Sequence, residues 1–300
     1  MRRALTIAAL LLLVLPACGD DDPPAAGPRF ASPALSSPSP EASSPAVRFT
    51  AVADAGTGDE AQAKVIDQMC KLNASRPFTD VVQAGDNVYD HGDPADIEPH
   101  FAEPFACLLE DGAEFHSVLG NHDVETDGGA AQLADARFGM PARNFTWSLG
   151  PVSFVMLDTN VVPSGDVLSW LDDRLAAAEE SPWTVVVFHH PPFSPGTEHG
   201  SSLELRELLA TRFSGAGVDL VINGHEHLYG RAEVDGVTYI VTGGGGRELT
   251  PCLEPLPEPY AVCRPVHEFV EFEATRGRLV LTAHTSDGAT IESHEVPKNP

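Results

Sequence analysis

The most constraining feature of the sequence is a short apolar run that stops at a glycine and is followed at once by polar side chains. Asp80 to Ala84 has the composition of a buried strand, and Gly85 allows a sharp turn after it. Asp86, Asn87 and Tyr89 follow this turn. A buried strand has no structural use for a carboxylate, so Asp86 faces a cleft or a cation. Taken alone, the stretch favours the simpler alternative of a turn in which side chains bond their own backbone.

The same arrangement recurs at four other places, and the repetition favours a functional site over five unrelated turns. At each place, an apolar predicted strand ends at residues that can bind a metal ion. The five sets are Asp54, Asp86 with Tyr89, Asn121 with His122, His189, and His225 with His227. In open α/β sheets, ligands bind beyond the carboxyl ends of the strands, so these side chains are expected to converge.

Strands and helices alternate through most of the chain, which predicts an α/β fold. Predicted strands cover 47–53, 80–84, 115–119, 144–149, 152–157, 183–188, 218–222, 237–242, 267–274, 278–284 and 290–296. Predicted helices cover 59–72, 96–109, 130–138, 167–180 and 202–213. The segment 247–265 contains five prolines and is expected to be an irregular loop. Residues 47–300 are enough for one sizeable domain.

The residue types at the five strand ends indicate which metals the site would bind. Imidazole together with carboxylate suits Zn, Fe or Mn better than Ca or Mg. The set holds two carboxylates, one phenol, one amide and at least three imidazoles, more donors than one tetrahedral ion uses. We therefore expect two metal ions, with Asp86 as the bridging ligand. Two ions roughly 4 Å apart can hold a phosphoryl group and activate a shared water.

The five sets lie within sequence blocks that resemble, in order, those of the calcineurin-like metallophosphoesterases. The blocks are Asp54–Gly56, Gly85–Tyr89, Gly120–Asp123, His189–Pro191 and Gly224–His227. Tyr89, three residues after Asp86, narrows the resemblance to the purple acid phosphatases, and the single-domain layout resembles their low-molecular-weight, tartrate-resistant branch. The resemblance covers residues 47–246. It implies an α/β fold of the four-layer α/β/β/α type, with mixed sheets.

The resemblance also implies a role for each matching residue. A ferric ion would be held by Asp54, Asp86, Tyr89 and His227. A divalent partner (Fe, Zn or Mn) would be held by Asp86, Asn121, His189 and His225. His122 would bond the substrate phosphate or protonate the leaving group. His199 resembles a second histidine that faces the substrate.

The activity implied by the resemblance is that of an acid phosphatase. A metal-bound hydroxide would attack phosphomonoesters in line and hydrolyse them. The substrates would be small phosphorylated molecules, and the protein would be a monomer. Phosphodiester or nucleotide hydrolysis within the same superfamily is the nearest alternative. A non-catalytic phosphate-binding surface protein is an alternative of another class.

The N-terminus has the features of an export signal. A short basic start, Met1–Arg3, precedes an apolar run, 4–15, that is too short to span a bilayer as a mature helix. The run leads to Cys18, so 1–18 resembles a bacterial lipoprotein signal in which Cys18 is lipidated; an ordinary secretory signal cut near Ala17 is the alternative. Residues 19–46 are rich in Pro, Ser and Ala and are expected to form a disordered tether. Both alternatives predict an exported protein of the cell envelope or the extracellular space, with no membrane contact except a lipid anchor.

The net charge and the cysteine content further limit which partners and which cellular compartment are expected. The formal net charge of −26 makes non-specific nucleic-acid binding improbable, so none is expected. It also means that an anionic substrate needs a local positive centre, which metal ions would provide. Four cysteines remain besides Cys18, and an even number in an exported chain suggests disulfides. The expected pairs are Cys70 with Cys107 and Cys252 with Cys263.

Overall fold

The computed structural model describes residues 45–161 and 163–299. The predicted signal peptide, Cys18 and nearly all of the predicted tether lie outside the described residues. Within them, no helix is both long and apolar enough to cross a membrane.

Thirteen strands of the described chain form two mixed sheets. The strands are β1 (Val47–Val52), β2 (Asp80–Gln83), β3 (Glu114–Ser117), β4 (Phe145–Leu149), β5 (Val152–Met156), β6 (Trp183–Val187), β7 (Leu220–Asn223), β8 (Tyr229–Val234), β9 (Val237–Thr242), β10 (Tyr260–Arg264), β11 (Glu268–Thr275), β12 (Arg278–Thr285) and β13 (Thr290–Glu295). The six-stranded sheet has the order β13-β12-β11-β1-β2-β3, and the seven-stranded sheet has the order β10-β8-β9-β7-β6-β5-β4. Strands β1, β2 and β3 run parallel, as do β5, β6, β7 and β9.

The two sheets pack face to face, and helices cover their outer faces. The helices are α1 (Glu60–Ser75), α2 (Ala106–Glu110), α3 (Ala130–Ala134), α4 (Gly165–Ala178) and α5 (Leu203–Gly215). Between the sheets, Phe49 of β1 meets Phe154 of β5 edge-on, with ring centroids 5.1 Å apart. On the seven-stranded sheet, Val185 and Val187 belong to this central core, whereas Val186 packs in the cluster that contains α4 and α5. The uniformly apolar sequence of β6 therefore reflects burial on both faces, and the predicted four-layer fold is confirmed.

Most predicted elements are present, but two predicted helices are broken. The segment predicted as a helix at 96–109 is two short helical turns, Pro94–Asp96 and Glu98–Ala102, followed by the short helix α2. Pro104 has no N–H to donate to the preceding turn, so a continuous helix cannot pass through it. The segment predicted at 130–138 is interrupted at Asp135, whose extended backbone ends α3 and whose side chain caps the turn Ala136–Phe138.

Two strands were not predicted from the sequence. Strand β8 forms a hairpin with β9 through Asp235 and Gly236, both of which have positive φ (49° and 83°). An Asp-Gly pair between two strand-like runs is a strong hairpin signal, and it was missed. Strand β10 lies inside the segment 247–265, so the expectation of a wholly irregular loop was wrong. The alternating residues 260–264 lie between Pro259 and Pro265, and these flanking prolines obscured the strand.

Two disulfides tie the outer segments, with the pairing predicted from the sequence. Cys70 on α1 is bonded to Cys107 on α2, and Cys252 is bonded to Cys263 at β10. The second bond closes the proline-rich segment, which pairs with the chain at Gly196 through an isolated bridge to Cys252.

Candidate metal centre

The polar strand ends meet at one edge of the two sheets. Asp54, Asp86 and Asn121 follow β1, β2 and β3 of the six-stranded sheet, while His189 and His225 follow β6 and β7 of the seven-stranded sheet. The site is therefore built across the seam between the sheets, and its geometry depends on how they pack. All seven residues proposed as metal ligands lie in this region.

Tyr89 brings one half of the site together. Its hydroxyl lies within hydrogen-bonding distance of Asp54 Oδ1 (3.0 Å) and Asp86 Oδ2 (2.9 Å), and it lies 3.4 Å from His227 Nε2. His227 Nε2 is 3.7 Å from Asp54 Oδ1. These four side chains are the set that the resemblance assigns to a ferric ion.

The second half of the site forms around His189. Its Nε2 atom is 3.1 Å from Asn121 Oδ1 and 3.4 Å from Asp86 Oδ2. The ring of His225 lies 5.0 Å from that of His189, measured between centroids. Asp86 Oδ2 thus faces both Tyr89 and His189, which gives Asp86 the central position expected of a bridging ligand.

Backbone contacts fix the two carboxylates and the chain around them. The N–H of His225 donates to Asp54 Oδ2 at 2.9 Å, and the N–H of His122 donates to Asp86 Oδ1 at 3.0 Å. Asp54, Asp86 and His225 have φ values of 56°, 52° and 74°. Such left-handed backbone is disfavoured for residues with a side chain, and it is concentrated at functional sites. A side chain at Gly120 would overlap Asp86, so only glycine allows this close approach.

Carbonyl groups orient two of the imidazoles toward the centre. His189 donates its Nδ1–H to the carbonyl of Ala84 at 2.9 Å, and His227 donates its Nδ1–H to the carbonyl of Glu248 at 2.7 Å. In both rings the Nε2 atom is then turned toward the carboxylates. Metal-ligating histidines are commonly oriented in this way by a partner of the other ring nitrogen.

The electrostatics of the site call for a cation. Asp54 is 0% exposed and Asp86 is 1% exposed, and in the described chain neither forms an ion pair with a lysine or an arginine. Burial raises the pKa of Asp54 well above its usual value. Burial also opposes ionisation of Asp86, but the neighbouring His189 outweighs it and lowers the pKa of Asp86. The same pairing overcomes burial at His189 and raises its pKa to about 9.

The remaining histidine donors are electrically suited to bind metal. Burial lowers the pKa of His227 to about 4 and also lowers the pKa of His225, with further lowering by nearby imidazoles. Both rings are therefore neutral at neutral pH and keep a lone pair for a metal ion. Buried carboxylates without a lysine or arginine partner, imidazoles with free Nε2 atoms and a phenol between two acids fit a pair of metal ions.

Two further histidines border the centre from the solvent side. The ring of His122 packs 4.6 Å from that of Tyr89, and its Nδ1–H is held by the carbonyl of Asp90 at 2.5 Å. The ring of His199 lies 4.4 Å from that of His225 and 5.8 Å from that of His227, and His199 is exposed. The two residues predicted to face the substrate are thus both beside the donors.

Asp123 supports the site but was not singled out from the sequence. Its carboxylate is fully buried and accepts the N–H groups of Gly120 (2.7 Å), Asn87 (2.9 Å) and Val88 (3.0 Å). It therefore joins the turn after β2 to the turn after β3. Asp123 closes the block Gly120–Asp123, and its position directly after Asn121 and His122 was the available signal.

His190 was also missed as a part of the site. A nitrogen of its ring lies within 4.8 Å of donor nitrogens of His189 and His225, and its Nδ1 hydrogen-bonds Thr159 Oγ1 at 2.9 Å. Adjacent residues in a strand point to opposite faces, but β6 ends at Val187. Strand alternation therefore could not show that His189 and His190 reach the same centre.

Comparison with known proteins agrees with this geometry. The family model described as calcineurin-like phosphoesterase matches residues 47–229. The chain belongs to the calcineurin-like phosphoesterase family. Among its relatives, purple acid phosphatase 17 of Arabidopsis thaliana is 31% identical over 233 residues, which cover 67% of this chain and 68% of the relative. The resemblance to purple acid phosphatases that Tyr89 indicated within the five blocks is thereby confirmed.

Two other similarities show how widely the fold is used. A cAMP/cGMP dual specificity phosphodiesterase of Mycobacterium tuberculosis is 28% identical over 189 residues, covering 60% of this chain and 57% of that protein. A solved structure described as GAP50, the anchor in the inner membrane complex of Plasmodium, has a TM-score of 0.74 at 20% identity and covers 86% of this chain and 90% of its own. The second similarity supports the fold alone.

Proposed function

We propose that this protein is a binuclear metal-dependent acid phosphatase that hydrolyses phosphomonoesters. The observation that carries the proposal is the position of Tyr89, whose hydroxyl lies 3.0 Å from Asp54 Oδ1 and 2.9 Å from Asp86 Oδ2. A phenol between two buried carboxylates, with an imidazole beside it, is a hard donor set that suits a ferric ion. The similarity to purple acid phosphatase 17 supports the same activity.

The donor residues divide into two sets that share Asp86. Asp54, Tyr89 and His227 would hold a ferric ion, and Asn121, His189 and His225 would hold a divalent ion (Fe, Zn or Mn). When bound, the two ions would polarise the phosphoryl group and lower the pKa of a water molecule.

His122 and His199 are the residues of this chain that would handle the substrate. The Nδ1–H of His122 is engaged by the carbonyl of Asp90, so the protonated ring would present its Nε2–H to a phosphoryl or leaving-group oxygen. Its side chain is 30% exposed, which leaves it accessible to a substrate. A positioned imidazole that gives a proton to the departing alkoxide contributes roughly a hundredfold or more to the rate. His199 borders the divalent set and would bond the phosphate from the other side.

Asp86→Asn tests whether hydrolysis depends on the centre. We expect this variant to lose roughly a thousandfold or more in kcat for p-nitrophenyl phosphate, because the shared carboxylate is replaced by a weaker neutral ligand. Asp67→Asn, on the exposed face of α1, removes the same charge away from the site and should keep full activity. If Asp86→Asn hydrolyses the ester like the wild type, the catalytic proposal fails and a non-catalytic phosphate-binding protein is favoured.

Phosphodiester hydrolysis is the second candidate, favoured by the similarity to the cAMP/cGMP phosphodiesterase. The two activities separate when kcat/KM is compared for p-nitrophenyl phosphate and bis(p-nitrophenyl) phosphate, with cAMP as a third substrate. The phosphomonoesterase proposal predicts a clear preference for the monoester. A preference for the diester or for cAMP contradicts it.

The proposed location is outside the cytoplasm, with the protein a monomer. Two disulfides are consistent with secretion, because such bonds persist in oxidising compartments. Attachment to the bacterial cell envelope through lipidated Cys18 stays a prediction from the sequence. The strongly acidic composition argues against nucleic acid as a partner, and the proposed substrates are small phosphorylated molecules.

A further inference from the structure

Glu226 stands between two donor histidines, yet its side chain serves a different segment of the chain. The residue is 0% exposed. Its Oε1 atom accepts the N–H of Glu198 at 2.9 Å, and its Oε2 atom accepts the N–H groups of His199 at 3.0 Å and Gly200 at 2.6 Å. Three successive peptide N–H groups thus bind one buried carboxylate, an arrangement that stabilises an anion.

The segment that Glu226 holds is the one that carries His199. Residues 196–200 follow the strand end at His189 and return across the mouth of the site, where the His199 ring lies 4.4 Å from that of His225. A side chain at Gly196 would overlap Glu226, so glycine is needed for the loop to lie this close. In the described chain, no lysine or arginine forms an ion pair with Glu226, so the loop N–H groups are its main electrostatic partners.

The outer side of this loop is held by the proline-rich segment. The N–H of Thr197 donates to the carbonyl of Pro251 at 3.1 Å, and the N–H of Leu253 donates to the carbonyl of Pro195 at 2.8 Å. The N–H of Thr250 donates to the carbonyl of His227 at 3.0 Å. The loop is therefore fixed on both sides by residues that adjoin the metal donors.

We infer that Glu226 is a positioning residue that places His199 for the phosphate of the substrate. The side chains of His225 and His227 face the centre, whereas the side chain of Glu226 fixes the loop that returns over it. One tripeptide thereby couples the two metal sets to the substrate-facing histidine. This inference rests on the proposed phosphatase function, which supplies the phosphate ligand.

Glu226→Gln tests the inference, because the amide keeps the size of the side chain but turns one acceptor into a donor that faces peptide N–H groups. We expect faster hydrogen exchange of the 198–200 amides, roughly tenfold weaker binding of inorganic phosphate and roughly tenfold lower kcat/KM for p-nitrophenyl phosphate. Metal content should match the wild type. Glu198→Gln, which removes a charge from the same loop without removing the carboxylate that holds it, is the matched control and should change none of these quantities.

The variant His199→Ala shows whether Glu226 acts by positioning His199 or affects phosphate binding independently of it. If Glu226 acts through His199, the double variant binds phosphate and hydrolyses the ester no worse than His199→Ala alone. The inference is overturned if the losses of phosphate binding and kcat/KM in the two single variants multiply in the double variant. It is also overturned if Glu226→Gln loses metal or if hydrogen exchange of the 198–200 amides is unchanged. Should Glu226→Gln fail to fold, Gly196→Ala displaces the same loop without altering the carboxylate and is expected to weaken phosphate binding in the same way; wild-type binding in that variant overturns the inference.

Phosphate binding and ester hydrolysis by the wild type separate failure of this inference from failure of the proposed function. If the wild type binds metal and phosphate but hydrolyses no phosphoester, the proposed function is wrong. Amide hydrogen exchange and phosphate binding still decide the role of Glu226 in that case. If the wild type is hydrolytically active and Glu226→Gln binds phosphate as the wild type does, only the inference about Glu226 is wrong.

Discussion

At the scale of single residues, Tyr89 distinguishes this site from a general pair of acids and histidines. Its hydroxyl is buried between Asp54 and Asp86, and burial together with these carboxylates raises the pKa of Tyr89 in the metal-free site. A phenol in this environment ionises only when a strong cation replaces its proton. If the proposed ferric ion is bound, the visible absorption of the protein would therefore depend on this one side chain.

Tyr89→Phe is expected to remove visible absorption from the iron-loaded protein while the fold is kept. The variant loses a charge-assisted hydrogen bond, so the free energy of unfolding of the metal-free protein should fall by roughly 2 kcal/mol. Visible spectroscopy and urea unfolding measure the two effects. Tyr239→Phe is the matched control, because the Tyr239 hydroxyl is buried with no hydrogen-bond partner in the described chain. A visible band that survives in Tyr89→Phe contradicts the assignment of Tyr89.

The sequence was sufficient to find the seven proposed metal ligands, but it missed His190 and the residues that hold the ligands in place. Asp54, Asp86 and His225 stand directly after apolar strands, so their burial without a partner could be inferred. Asp123 and Glu226 act through backbone N–H groups of segments that are distant in the chain. No periodicity encodes such contacts, and only the folded structure shows them.

At the scale of elements, Glu268 joins the two sheets next to the centre. It begins β11 of the six-stranded sheet, and its carboxylate accepts the hydroxyl of Thr242 at 3.0 Å, at the end of β9 in the other sheet. It also accepts the N–H of Gly244 at 3.2 Å. Burial raises the pKa of Glu268 to about 8, although these hydrogen bonds oppose the shift.

This raised pKa predicts that the metal-free protein becomes less stable between about pH 4.5 and pH 8. In that window the folded state keeps a proton that the unfolded state has released, so stability falls as pH rises. The contribution of Glu268 amounts to at most about 5 kcal/mol, at about 1.4 kcal/mol per pKa unit. Glu268→Gln should remove this part of the slope in urea unfolding at pH 5, 6.5 and 8.

The control for this prediction is Glu110→Gln, which removes an exposed carboxylate on α2. It should leave the pH dependence of unfolding like that of the wild type. If the free energies of unfolding of the wild type and of Glu268→Gln depend on pH in parallel, Glu268 is ionised in the folded state between about pH 4.5 and pH 8, contrary to the prediction.

The two disulfides are expected to contribute differently to stability and to activity. The bond between Cys70 and Cys107 spans 37 residues, and replacing both with Ser should lower the free energy of unfolding by about 4 kcal/mol with little change in activity. The bond between Cys252 and Cys263 spans 11 residues, so its loss should cost about 3 kcal/mol. Because this second bond supports the loop of His199, its loss should also raise KM. Equal effects of both double variants on KM would contradict that difference.

Local chain chemistry explains which elements could be predicted. Strand β6 is apolar at every position because both of its faces are covered, and it was predicted within one residue of its observed end. The segment around Pro104 has helical composition, but proline breaks it into short turns. Strand β8 contains Gly230 and Arg231 near its start, which weakens the strand signal, and its pairing depends on the turn at Asp235 and Gly236.

At the scale of the whole molecule, the site exists only because two sheets pack together. Asp54, Asp86 and Asn121 come from one sheet, while His189 and His225 come from the other. The sequence placed all of them at strand ends, but it did not indicate which strands share a sheet. The chain builds β1 to β3 in the first sheet, crosses to the second sheet and returns through β11, which pairs directly with β1.

The overall charge makes the metal centre necessary for the proposed substrates. With a formal net charge of −26, the protein repels phosphate esters at long range. Most of the donor groups are carboxylates, a phenol or neutral imidazoles, and His189 and Arg247 are already engaged by the carboxylates of Asp86 and Asp90. Bound metal ions would therefore supply the positive charge that a phosphate ester needs. Removal of the metals with a chelator is therefore expected to abolish both phosphate binding and hydrolysis.

The most direct test of the central claim is the metal content of the purified protein, measured together with its visible absorption spectrum. We expect two metal ions per chain, at least one of them iron, and a visible charge-transfer band that is absent from Tyr89→Phe. Binding that saturates at one ion per chain, or an iron-loaded protein without visible absorption, would contradict the proposed centre.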